Sequence, residues 1–197
     1  MQNILKFQKE IYDTNVAKGF WEAGQDRNKG EMVMLIITEL SEAVEADRKG
    51  RRALADKNHQ ALKFLRGEIS TAEYSLLSSV NTDAEWLDCF LSTVKDTVED
   101  EIADTVIRIL DYCHGFEIPL EDHNVTGESS GNFAADVLRI VDVVVLMMNK
   151  HNAICQWGYV LAVIFKFCTW YNINLEQHVA WKLRYNQSRP HKHGKVY

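Results

Sequence analysis

Hydrophobic positions recur at helical spacing in one segment after another, and no stretch alternates in the way a half-buried strand would. The pattern from Ile4 to Lys18 predicts a first amphipathic helix, stopped at Gly19. Residues 19–30, GFWEAGQDRNKG, carry three glycines among polar side chains and read as a loop. A second helix is expected from Glu31 to about Lys49, closed by Gly50. Residues 51–81 give a helix around Ala53–Leu65, a turn at Gly67 and a short helix at Thr71–Ser79. Thr82 or Asp83 would cap a long helix that runs to His114 and ends at Gly115. After a polar loop at 124–131, NVTGESSG, helices follow near Phe133–Lys150 and Ala153–Tyr171, and a last one runs from Leu175 to about Ser188. The predicted class is all-α, a helical bundle. Only two prolines occur, Pro119 and Pro190, and both fall where helices would end. FEIPLEDHN at 116–124 echoes YNINLEQHV at 171–179, each after an apolar helix. This suggests a duplicated helical hairpin whose second copy has lost its acids; chance likeness between amphipathic helices is the other reading.

Composition narrows the class. With 46% hydrophobic and 25% charged residues, the chain has the make-up of a folded globular protein. A net charge of −6 argues against binding a nucleic-acid polymer, which demands a basic surface. The sign reverses locally, because Lys182, Arg184, Arg189, Lys192 and Lys195 stand in a stretch without an acid. That tail suits a small polyanion, or is simply a solvated terminus. Cys89, Cys113, Cys155 and Cys168 form no C-x-x-C pair and lie in apolar stretches, as small core residues of a reducing compartment do. The first apolar residues alternate with Lys6, Lys9 and Glu10, unlike a signal peptide, and the runs 141–148 and 159–167 are too short to span a bilayer. A cytoplasmic protein without a membrane partner is expected.

The acids carry the chemistry. In the helix 31–49, Met32, Leu35, Ile36, Leu40 and Ala43 define an apolar face, with Glu39 inside it and Glu42 at its edge. A carboxylate on a buried stripe needs a partner. Glu101 and Asp104 repeat the three-residue spacing, but their helix has its apolar face at Ile102, Val106, Ile109, Leu110 and Cys113. Taken alone, that second pair reads as a solvated face beside Arg108 and Asp111. Two helices packed antiparallel would bring the four carboxylates together, and a hard divalent cation would stabilise them. Oxygen ligands select Mg²⁺ or Mn²⁺ over zinc.

At ELSE (39–42) with the following AVEADRKG, DEIAD (100–104) and KLRYNQSRPHKHGKVY (182–197), the sequence resembles the all-α nucleoside triphosphate pyrophosphohydrolases, the MazG-like superfamily. FW at 20–21 and RN at 27–28 are also similar. The sequence departs from the family at Thr38, where many members have a further glutamate, and in the long separation of the two acid pairs by residues 43–100. The segment 51–95 reads as an insert, serving as lid, oligomer interface or padding. The resemblance implies a single MazG-like domain over 1–197 and assembly as a homo-oligomer, a dimer first. It implies Mg²⁺-dependent cleavage of a (d)NTP to monophosphate and pyrophosphate, a house-cleaning of the nucleotide pool, with Glu39, Glu42, Glu101 and Asp104 as metal ligands and catalytic residues. Water would attack the α-phosphorus while Mg²⁺ neutralises phosphate charge and lowers the water's pKa. Any of the carboxylates, Glu42 among them, could take the proton. Lys182, Asn186 and Arg189 share a helix face and would grip phosphate oxygens, with Lys195 beyond them. Trp21 would stack on the base or staple its loop to the core, and Asn28 would bond a base edge or serve as a turn residue. Specificity for dUTP, dCTP or a modified nucleotide is a second reading, and a non-catalytic nucleotide-sensing scaffold a third.

Overall fold

Three of the long helices begin where a side chain replaces a missing turn. Asn28 accepts the Glu31 N–H at 3.1 Å, Thr97 accepts the Asp100 N–H, and Asn174 accepts the Gln177 N–H at 3.2 Å. The computed structural model describes residues 2–22, 27–53, 59–68, 82–149 and 156–194. Within these, the helices are α1 (Gln2–Leu5), α2 (Gln8–Ala17), α3 (Lys29–Arg48), α4 (His59–Leu65), α5 (Thr82–Thr93), α6 (Val98–Gly115), α7 (Phe133–Asn149), α8 (Trp157–Trp170) and α9 (Leu175–Ser188), followed by a 3-10 turn at His191–Gly194. No strand occurs among the described residues, in keeping with the all-α expectation. The predicted helix at Thr71–Ser79, Cys155 and Lys195 lie outside them.

Two predicted helices are each divided. The first breaks at Lys6–Phe7, where Ile4 turns into the core while Lys6 reaches Glu176 on α9 at 2.6 Å. The long helix of 82–114 is α5 and α6, separated by a turn at 94–97. Asp96 there adopts a left-handed φ of 56°, its N–H donates to the Asp100 carboxylate at 3.0 Å, and Thr97 caps the new helix. α3 ends as expected at Gly50, whose φ of 64° lets Arg51 N–H return to the Ala46 carbonyl at 2.9 Å.

α6 is the central element, packed by α2, α3, α8 and α9. Val98 N–H donates to the Arg51 carbonyl at 3.1 Å and Ala53 N–H to the Glu99 carboxylate at 2.9 Å, so the end of α3 meets the start of α6 and the two run antiparallel. One apolar cluster joins Ile36 and Leu40 of α3, Ile102 and Leu110 of α6, Val144 of α7 and Trp157 and Phe167 of α8. A second, smaller cluster gathers Leu62 and Leu65 of α4, Trp86 and Phe90 of α5 and Trp181 of α9. This places part of the expected insert, 51–95, against the last helix.

The echo between 116–124 and 171–179 has a local physical meaning. Glu117 and Asn172 both take a left-handed φ, 54° and 53°, and the following Ile118 and Ile173 donate back to Cys113 and Cys168 at 2.8 and 2.9 Å. Each is the same helix-closing turn with an apolar residue after it. Beyond it the segments diverge, because Leu175 starts α9 while residues 118–132 remain non-helical.

Candidate functional site

On α6, Glu101, Asp104, Arg108 and Asp111 follow one another at steps of three, four and three, which puts them along one stripe. The stripe faces a cavity of about 640 Å³ walled also by α3, α9 and the loop after α2. The expectation that Glu101 and Asp104 form a solvated face is corrected here. Neighbours cover α6 on nearly every side, so Glu101 is 3% exposed, and only Asp104 and Arg108 within 98–113 are partly open. Glu39 is buried as its place on the apolar face of α3 requires. Carboxylate oxygens of Glu39, Glu101 and Asp104 lie within 4.8 Å of one another. Glu42 lines the same cavity one turn further along α3, exposed and outside that trio.

Cations from distant parts of the chain hold two of the three, Glu39 and Asp104. Arg108 Nε donates to Glu39 Oε1 at 2.6 Å. Lys182 Nζ lies 2.7 Å from both Asp100 and Asp104, and Lys95 Nζ stands 3.9 Å from Asp100. Burial opposes the charge on Lys182, but the Asp104 and Asp100 carboxylates outweigh it and raise its pKa. Burial likewise works against ionised Asp104, yet Lys182 and Arg108 hold its carboxyl below the usual range. Glu101 is left uncompensated. Burial first, then the neighbouring Asp100 carboxylate with Asp104 and Glu39, pushes its carboxyl up to about 9 against the pull of Lys182. Burial and Asp104 push Asp100 up to about 6, again against Lys182.

That imbalance is the test of whether a divalent cation fits. Three convergent carboxylates with oxygen-only donors form a site short of positive charge, which Mg²⁺ or Mn²⁺ would supply. Asp96, Asp100 and Glu101 form a second close acidic group, sharing Glu101 with the first.

The remaining predicted site residues separate. Lys182, Asn186 and Arg189 do share a face that lines the cavity. Lys182 is not part of a solvated basic surface, however; at 1% exposure it is an internal counter-charge. The tail after it is docked too, for Lys192 N–H donates to the Lys18 carbonyl at 2.7 Å. Trp21 staples its loop: Nε1 donates to Asp111 at 2.9 Å and the ring packs on Tyr12 and Phe116. It is Phe20 rather than Trp21 that lines the cavity. Asn28 serves as the cap of α3 and stands outside the cavity wall.

Sequence reasoning missed Lys95, Asp100, Arg108 and Asp111. The three-four-three stripe on α6 showed that Arg108 and Asp111 share a face with the acid pair, but the same spacing marks a solvated helix face, so it did not single them out. Nothing local pointed to Asp100 and Lys182 as partners. No family model, no curated protein and no solved structure matches the chain, so the reading of the site rests on its motifs and its own chemistry.

Proposed function

We propose that the chain is a Mg²⁺-dependent nucleoside triphosphate pyrophosphohydrolase. The observation that carries this reading is the convergence of Glu39, Glu101 and Asp104 in a cavity whose wall also holds Lys95, Arg27 and Arg189. Carboxylates in excess of their internal cations beside a set of basic side chains suit a metal-complexed polyphosphate better than a free anion or a free cation. Glu39, Glu101 and Asp104 would hold Mg²⁺, which supplies charge neutralisation of the phosphates and acidification of water. Arg189 and Lys95 bind the phosphate oxygens, Arg189 with a guanidinium fork. Glu42, on the wall but outside the trio, accepts the proton as water attacks the α-phosphorus. The bond from the α-phosphorus to the bridging oxygen breaks, and pyrophosphate leaves. The homo-oligomer, a dimer in the first instance, and a role in clearing the nucleotide pool belong to the same proposal.

The experiment is pyrophosphate release from each common (d)NTP with and without Mg²⁺, for the wild type and for Glu39→Gln. The expected result is Mg²⁺-dependent release that Glu39→Gln lowers by three orders of magnitude or more, roughly the loss of a metal-held transition-state contact. Near wild-type turnover in Glu39→Gln would remove the site assignment. A folded wild type that releases no pyrophosphate from any nucleotide would favour the scaffold instead.

A further inference from the structure

The cavity has two ends, and the trio of Glu39, Glu101 and Asp104 occupies only one. Asp111 lies seven residues beyond Asp104 on the same stripe of α6, about 10 Å along the axis. That is of the order of the separation between a nucleotide's α-phosphate and its base. The apolar side chains of Phe20, Met32, Leu35 and Ile107 line the same cavity and give it the apolar surface on which a flat ring packs. Asp111 is 5% exposed and is held from behind by Trp21 Nε1 at 2.9 Å and by the side chain of Asn15. A carboxylate has roughly four acceptor sites, so two remain for a ligand, in an orientation that these donors fix. Arg27, whose guanidinium rests over the Trp21 ring at 5.2 Å, lines the same cavity and brings hydrogen-bond donors. Asn186, also on the wall, is 7% exposed and its Oδ1 has no hydrogen-bond partner. A buried acceptor left unpaired costs about 1–3 kcal/mol, so a donor from within the cavity is called for.

We propose that this end of the cavity is a guanine site in which the Asp111 carboxylate accepts the N1–H and N2–H of the base. The inference rests on the reading of the cavity as a nucleotide site and names its substrate class, a guanine nucleotide. Among the common bases only guanine presents two adjacent N–H donors, with a keto oxygen beside them for a group such as Arg27. Adenine and cytosine set a ring nitrogen acceptor next to their amino group, and uracil and thymine flank one N–H with two keto oxygens. A carboxylate facing an acceptor gains nothing and leaves both groups unpaired, whereas two parallel N–H to carboxylate bonds are strong and directional. Burial pushes the Asp111 carboxyl up to about 6, against the Asn15, Trp21 and Arg27 contacts, so it is ionised at pH 7.5 as the arrangement needs.

The test compares GTP with ITP, which lacks only the N2 amino group, and with ATP, CTP and UTP, by pyrophosphate release. Calorimetric binding of GMP, IMP and AMP is measured alongside. The expected kcat/KM for GTP exceeds that for ITP at least tenfold and that for the other bases at least a hundredfold. Asp111→Asn, which keeps an acceptor for Trp21, should bring GTP down to the level of ITP while its melting curve stays cooperative. The GTP and ITP pair in the wild type needs no variant and decides the matter even if Asp111→Asn fails to fold. Equal turnover of GTP and ITP, preference for another base, or a folded Asp111→Asn that keeps the guanine preference would overturn the inference. Pyrophosphate release without base selectivity sinks the guanine site and leaves the hydrolase standing. Selective GMP binding without pyrophosphate release sinks the hydrolase and supports the guanine site, and no binding of any nucleotide overturns both.

Discussion

Lys182 is 1% exposed and has exchanged its hydration for Asp100 and Asp104, each at 2.7 Å. A buried pair of this kind adds little net stability, but removing one member strands the other in a medium that solvates it poorly. Lys182→Ala should therefore cost about 3–5 kcal/mol in chemical denaturation, in place of the unperturbed fold that a solvated tail would allow. A Lys182→Ala protein as stable as the wild type would refute the counter-charge role. His178 is the complementary case. It is buried among apolar neighbours and stacks edge-on against Trp181 at 5.1 Å, and burial lowers its pKa from 6.5 to about 4. The unfolded chain then binds the proton more readily than the folded one, so stability is full above about pH 6.5 and declines as pH falls toward 4. His178→Phe should flatten the slope of melting temperature against pH across that window; an unchanged slope would show that other groups set it.

Between α5 and α6 the decisive residue is Thr97. Its hydroxyl accepts the Asp100 N–H, while the Asp100 carboxylate accepts the Asp96 N–H at 3.0 Å, so the two side chains close the start of α6 reciprocally. This cap opens the helix whose stripe carries Glu101, Asp104 and Asp111 along the cavity. Thr97→Ala should lower stability by about 1 kcal/mol, with Thr97→Ser close to wild type, as read from urea midpoints. If Thr97→Ala left the midpoint unmoved, the turn at 94–97 would be held by packing alone. The signal was present in the sequence, because T-V-E-D at 97–100 places a hydroxyl three residues before a carboxylate. Continuous helix-forming residues on both sides hid it, and Asp96 gave no glycine to mark its left-handed φ of 56°. Gly50, by contrast, marked the end of α3 plainly.

Across the whole molecule, the acidic trio would couple the proposed metal binding to folding, since its members come from α3 and α6 and converge only when those helices are packed. Mg²⁺ at a hundred times its dissociation constant should stabilise the folded protein by about 2.7 kcal/mol, seen as a rise in melting temperature. Glu39→Gln should abolish the rise, and a rise that persists in that variant would place the ion elsewhere. Among the described residues no helix is long and apolar enough to cross a membrane. The periodicity of the sequence determined the all-α class, the span of α3 and α9, and the burial of Glu39, because each is a property of one helix and its own faces. It also brought Asn186 and Arg189 to one side of α9. Only the tertiary structure decided that α6 is enclosed, which took an acid pair read as solvated and left Glu101 buried and short of a counter-charge beside Asp104. It alone paired Arg108 with Glu39, Lys182 with Asp100 and Trp21 with Asp111. Helical periodicity reports which residues share a face. Whether that face meets water, a distant cation or a cavity is settled by what packs against it, and those partners lie tens of residues away in the chain.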